Sequence, residues 1–143
     1  MRASDLLLVE AAYSAIAVED VDLALSSFAD NVGFTVHAPP GTTTYIGEGH
    51  RRELLSARMK AFYRAHTVLE YAPETFLKRN GWIVARVRYR YQHRVARLEI
   101  DGTMRHYWRL NGDRIVHFEI VHDVQRMAAY FDLSAARLRL DKA

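Results

Sequence analysis

An α+β fold, with helices gathered on one face of a curved antiparallel sheet, is predicted by a change of hydrophobic period along the chain and by the turn signals that follow it. Apolar residues recur at helical spacing in most of the stretch up to Phe62, then alternate with period two from Val68 to His122. The pairs Asn80-Gly81, Asp101-Gly102 and Asn111-Gly112 punctuate the second stretch as hairpin turns. Helices segregated from an antiparallel sheet in this way make an α+β domain.

Leu6, Val9, Tyr13 and Ile16 fall on one stripe of a first helix, with Ser4 as its N-cap. After Glu19-Asp20, the stripe Val21, Ala24, Leu25 and Phe28 predicts a short second helix capped by Asp20. Alternation over 32–37 predicts a strand with Val32, Phe34 and Val36 on one face and Gly33, Thr35 and His37 on the other. Pro39-Pro40-Gly41 ends it, and Gly47-Glu48-Gly49 leads into a third helix with Leu55, Met59 and Phe62 on its core side, ending near Arg64. The strand Val68–Leu77 is interrupted by Pro73, which has no ladder donor and marks an edge or a bulge. Trp82–His93, Arg94–Ile100, Thr103–Leu110 and Arg114–His122 then read as a four-strand meander. Asp123 caps a last helix with Val124, Met127, Ala128 and Phe131 on its stripe. A single domain is expected over 1–133, followed by a tail over 134–143.

With 143 residues the chain has the length of one domain, and 50% hydrophobic residues give it a core. The absence of cysteine excludes a disulfide scaffold, a thiolate nucleophile, an iron–sulfur cluster and a thiolate zinc site, and makes a reducing cytoplasm the expected home. The apolar segment 6–18 is broken by Glu10 and reads as an amphipathic helix, and no run approaches the ~20 apolar residues that span a bilayer. A net charge of +3, with bases and acids interleaved, points to neither nucleic acid nor membrane. No phosphate-binding glycine loop, Gly-x-Ser-x-Gly elbow or His-Glu-x-x-His motif is present, and no cofactor or metal is expected.

Strand parity puts Ile83, Ala85, Val87, Tyr89, Tyr91 and His93 on the helix-facing side. Met104, His106, Trp108 and Leu110 share that side with Val116, Phe118, Ile120 and His122. An aromatic wall with a few polar groups suits a small-molecule pocket. Tyr45, Phe62, Val87, Tyr89, Tyr91, Trp108, Phe118 and Ile120 are its expected lining. The opposite face carries Arg86, Arg88, Arg90, Arg105 and Arg109 with Tyr107, His117, Glu119 and Val121. Arginine and tyrosine are favoured at protein interfaces, so a homodimer through this face is expected, its arginines paired to Glu119, Glu99 or Asp101.

An ordered series of segments carries a family resemblance: Glu19-Asp20-Val21-Asp22 leading to Phe28-Ala29-Asp30-Asn31-Val32, then Tyr45-Ile46-Gly47-Glu48-Gly49, then Tyr107-Trp108-Arg109-Leu110-Asn111-Gly112, then Asp113-Arg114-Ile115-Val116-His117-Phe118 running into Asp123. The chain resembles the NTF2-like superfamily, in the branch holding ketosteroid isomerase and the SnoaL-like polyketide cyclases. The resemblance implies a cone-shaped half-barrel with a hydrophobic cavity between sheet and helices, commonly dimeric through the sheet. Isomerase chemistry on this fold needs a carboxylate base and an oxyanion hole made by a tyrosine and a protonated aspartic acid. Tyr13 falls within one residue of that tyrosine, the base position falls at Val36 or His37, and the second donor aligns with His106. The acid–base group implied is therefore Tyr13, His37 and His106. Two functions follow as expectations: an isomerase, cyclase or dehydratase acting on a hydrophobic ketone or polycyclic substrate, or a module that binds an apolar molecule without converting it.

Overall fold

The computed structural model describes residues 3–37 and 47–141. Its elements are α1 (Ala3–Ala17), α2 (Val21–Ala24), β1 (Phe28–Val36), β2 (Gly47–His50), α3 (Arg52–Ala65), β3 (His66–Arg79), β4 (Trp82–His93), β5 (Glu99–Asn111), β6 (Arg114–Val121) and α4 (Val124–Asp141). The strands form one curved, unclosed sheet in the order β2-β1-β6-β5-β4-β3, antiparallel throughout except for the parallel β1–β6 pair. No helix among the described residues is long and apolar enough to cross a membrane.

Local chemistry accounts for the helix boundaries. α1 ends where Glu19 turns into the left-handed region and the Glu19 and Asp20 amides return to the Ile16 and Ala15 carbonyls. Asp20 then accepts from the Leu23 amide and Asp123 from the Arg126 amide, so both acids cap the helices they precede. Ser4 lies inside the first turn of α1 and not at its cap. α2 is a single turn, so Phe28 opens β1 opposite Ile115 instead of closing a helix stripe. Gly47-Glu48-Gly49 forms β2, paired to β1, before α3 begins.

The meander has one strand fewer than expected. Residues 94–98 turn the chain from β4 to β5, because the His93 Nδ1 accepts from the Val95 and Ala96 amides and so closes the turn there. β5 runs straight through Asp101-Gly102, paired with Arg90 and Tyr89. Gly102 serves there as a gap: a Cβ on it would meet the Tyr89 ring and hydroxyl at 3.2–3.4 Å. Asn80-Gly81 does turn, with both residues at positive φ as a tight hairpin requires. Pro73 sits beside a bulge on β3, which is an edge strand. A further bulge where Arg109 pairs with His117 but Leu110 with Ile115 makes Val116 the extra residue, so Ile115 is the fully buried one.

Inward residues of the sheet pack against Val9, Tyr13 and Ile16 of α1 and Leu55, Met59 and Phe62 of α3, with Met127 and Tyr130 of α4 also buried. Burial of each large side chain contributes about 1.5–3 kcal/mol. α4 continues past Leu133: Ser134 is buried, and Arg137 donates to the Ala96 carbonyl. The expected tail is thus the second half of this helix as far as Asp141.

Candidate functional site

Helical spacing on α1 turns Tyr13 inward, and alternation on β5 turns His106 and Trp108 toward it. The Tyr13 hydroxyl lies 2.8 Å from His106 Nδ1 and 2.9 Å from Trp108 Nε1. An indole N–H can only donate, so the tyrosine oxygen accepts from Trp108 and sends its own proton to His106 Nδ1. The neutral imidazole therefore carries its hydrogen on Nε2, which points to the Tyr71 hydroxyl of β3 at 3.5 Å, a long contact. Tyr13 and His106 stack with ring centroids 5.5 Å apart, and Phe118 packs on Trp108 at 4.4 Å.

This group is uncharged. Burial lowers the His106 pKa from 6.5 to about 3, with His122 adding to the effect, and pushes the Tyr13 phenol well above its usual range against a smaller opposing effect of the Trp108 bond. Among the described residues, the buried polar or charged side chains besides buried tyrosines are His66, His106, His122 and Ser134, so no carboxylate shares this interior. No group of three or more His, Asp or Glu among them is placed to hold a metal ion. The group offers hydrogen-bond donors and acceptors among closely packed rings.

No protein-family model matches the sequence, and no curated protein matches it. Solved structures do match. An NTF2-like protein of unknown function from Burkholderia pseudomallei is 24% identical, with 90% of this chain and 98% of that one covered and a TM-score of 0.76. A Catenulispora acidiphila protein with a ketosteroid isomerase-like fold, in complex with trimethylamine, is 16% identical, covering 86% and 90% of the two chains with a TM-score of 0.72. TerC co-crystallised with polyporic acid is 14% identical, covering 93% and 99%, with a TM-score of 0.73. The chain has the NTF2-like fold.

Within the NTF2-like cone, the expected residues Tyr13 and His106 are brought together, and His37 is not. Val36 takes the inward position on β1, so His37 emerges on the outer side, where its Nε2 lies 2.9 Å from Glu119 Oε1. That face uses its acids differently from expectation: Arg90 pairs with Glu99, but Arg86 and Arg88 pair with Glu74 and Glu70 of β3, and Asp101 pairs with Arg126 of α4. Phe62, Val87, Tyr89, Tyr91, Trp108, Phe118 and Ile120 are all buried in the interior, whereas Tyr45 lies outside the described residues. Tyr71 and His66 join the buried polar residues without a mark in the sequence pattern. A bulge beside Leu69 shifts the parity that would have marked Tyr71, and His66 sits at a helix-to-strand junction without a Gly or Pro to announce it. A surface cleft of about 700 Å³ between α2 and α3 is lined by Asp22 and Lys60, which pair with each other, and by Arg52, which pairs with Asp30; it lies away from the buried polar group.

The neutral histidines make stability depend on pH. His106 and His66, the latter lowered by burial to about 4, refuse protons in the folded state that the unfolded chain accepts near pH 6.5. Their contribution is complete above pH ~6.5 and is lost as pH falls toward ~3–4, at about 1.4 kcal/mol per pH unit for each histidine. Urea unfolding at pH 7, 6 and 5 is expected to show a falling midpoint, with a shallower slope in His106→Gln. A midpoint constant over that range would contradict the buried neutral assignment.

Proposed function

We propose that the cone binds an apolar small molecule bearing a carbonyl or hydroxyl oxygen, which His106 Nε2–H and the Tyr71 hydroxyl hold by hydrogen bonds while Tyr91, Phe118 and Trp108 contact its rings. The observation that carries this reading is the directed chain Trp108 to Tyr13 to His106, which fixes the imidazole tautomer and leaves Nε2–H, among the described residues, with a long contact at 3.5 Å. Such a donor inside an apolar wall fits recognition of a neutral oxygen. The polyporic acid complex of TerC, on the same fold, supports a ligand-binding reading of the interior.

Catalysis of the isomerase, cyclase or dehydratase kind is the second reading, favoured by the Tyr13–His106 pair at 2.8 Å. It asks a histidine with a pKa held at about 3 to act as the base, since His37 stands on the other side of the sheet. Recognition without conversion needs no such base and is therefore preferred.

Thermal unfolding against steroids, polyketide-like aromatics and terpenoid ketones tests both readings, because a ligand at ~100 times its Kd adds about 2.7 kcal/mol. The expected result is a rise in melting temperature that His106→Gln abolishes, with the compound recovered unchanged. Recovery of a converted compound in a His106-dependent manner would favour the enzyme. A panel without any shift would overturn the ligand reading.

A further inference from the structure

On the outer face of the sheet the acids are engaged and one central arginine is left over. Register sets Thr75, Arg86, Arg105 and Val121 side by side across β3, β4, β5 and β6, with Leu77 beside Val84 in the next outward row. Arg86 and Arg105 are thus cross-strand neighbours of like charge, a pairing that destabilises a sheet unless an anion offsets it. Glu70 pairs with Arg88, Glu99 with Arg90, Asp101 with Arg126 and Glu119 with His37. Glu74 is shared between Arg86 at 3.6 Å and Arg88 at 3.8 Å, both beyond hydrogen-bond distance. Arg109, further along β5, lies over the Trp82 ring at 4.7 Å. Arg105 is exposed and has no ion pair with a described residue, and the segment 38–46 contains no Asp or Glu.

These two arginines share a cleft. A concavity of about 560 Å³ is lined by Arg86 and Arg105 together with Thr75, Leu77, Val84 and Val121. Leu77 and Val121 are 45% and 41% exposed, so the cleft has an apolar surface beside its charge. A guanidinium presents a planar fork of N–H donors that matches a carboxylate, and the apolar side chains suit a hydrocarbon body. Asp123 lines the same cleft while its carboxylate caps α4 through the Arg126 amide, and Glu74 stands beside Arg86. Both repel a second negative charge, so the cleft fits a singly charged anion better than a phosphate monoester.

We propose that this cleft binds a small organic monocarboxylate with an apolar body, its carboxylate held by Arg105 and Arg86 and its body laid on Leu77, Val84 and Val121. The site lies on the opposite side of the sheet from the Tyr13–His106 group and stands independently of the cone reading.

Calorimetric titration of the intact protein with 2-naphthoate, 2-naphthylmethanol and acetate near neutral pH tests it, with methyl NMR of the valines to place the bound molecule. The expected result is that 2-naphthoate binds about tenfold more tightly than either comparison compound, because the alcohol lacks charge-assisted hydrogen bonds and acetate lacks the apolar body. The preference over the alcohol is lost in Arg105→Gln and kept in Arg109→Gln, and the Val84 and Val121 methyl resonances move on binding. Equal binding of acid and alcohol would overturn the proposal, as would a preference that survives Arg105→Gln. Acetate binding as tightly as 2-naphthoate would overturn the apolar contact. Movement of only the interior Val36 and Val87 methyls would place the molecule in the cone and overturn the cleft while leaving the cone reading standing. Binding of none of the three would also overturn the cleft.

Discussion

Trp108→Ala is expected to destabilise the protein by about 3–5 kcal/mol, the range for deleting a large aromatic side chain from a packed core. Trp108 is 0% exposed, and its ring meets Tyr13 at 5.4 Å, Phe28 at 5.9 Å and Phe118 at 4.4 Å, so α1, β1 and β6 all lose a packing partner. These elements are held by the rest of the sheet and cannot close the gap fully. The loss is a large part of the ~5–15 kcal/mol that stabilises an ordinary domain. Urea unfolding measures it, and indole, which matches the deleted group, is expected to restore part of the stability by filling the dry cavity. A loss below about 1 kcal/mol would mean that Trp108 is not the centre of this core.

Tyr13→Phe is expected to cost about 2–4 kcal/mol, although it removes one oxygen atom and leaves the ring in place. That oxygen accepts from Trp108 Nε1 and donates to His106 Nδ1, so its loss strands a buried donor and a buried acceptor together. The effect is expected to be non-additive with His106→Leu, because the two substitutions break the same bond. A double-mutant cycle reads this directly: a coupling of about 1 kcal/mol or more is predicted, and independent losses would show that the 2.8 Å contact contributes nothing to stability.

The legible parts of the fold were those governed by uninterrupted periodicity. α1 turns Tyr13 inward by a simple helical stripe, and β4 and β5 deliver Tyr89, Tyr91, His106 and Trp108 by strict alternation, so the meeting of Tyr13 and His106 follows from two local rules. Alternation in β1 likewise separated His37 from Val36; matching positions to the isomerase base drew His37 into the acid–base group, but its side chain follows the alternation and faces Glu119. Elsewhere the pattern is broken by features with no strong local signature. Bulges beside Leu69 and at Val116 each shift a strand's faces by one residue, hiding Tyr71 and exchanging Val116 for Ile115. Asp101-Gly102 reads as a turn on local chemistry alone. It remains in β5 because the Tyr89 ring needs the space over Gly102 and because the His93 side chain closes the true turn a few residues earlier.

The electrostatics of the interior follow from the same burial. Removing two tyrosines and two histidines from water, with no carboxylate beside them among the described residues, holds all four neutral, and neutral groups recognise neutral oxygens. The outer face of the sheet is the charged one, where Arg86, Arg88, Arg90 and His37 meet their acids under solvent screening and each pair contributes little on its own.

Contact between His106 Nε2–H and the ligand's oxygen is read most directly by nitrogen-15 NMR of the histidine rings during titration with 2-acetylnaphthalene. The predicted result is a displaced His106 Nε2–H resonance, with Nδ1 unprotonated throughout and His37, His50 and His117 unmoved. Shifts confined to those three histidines, with His106 unchanged at saturation, would contradict a contact at His106.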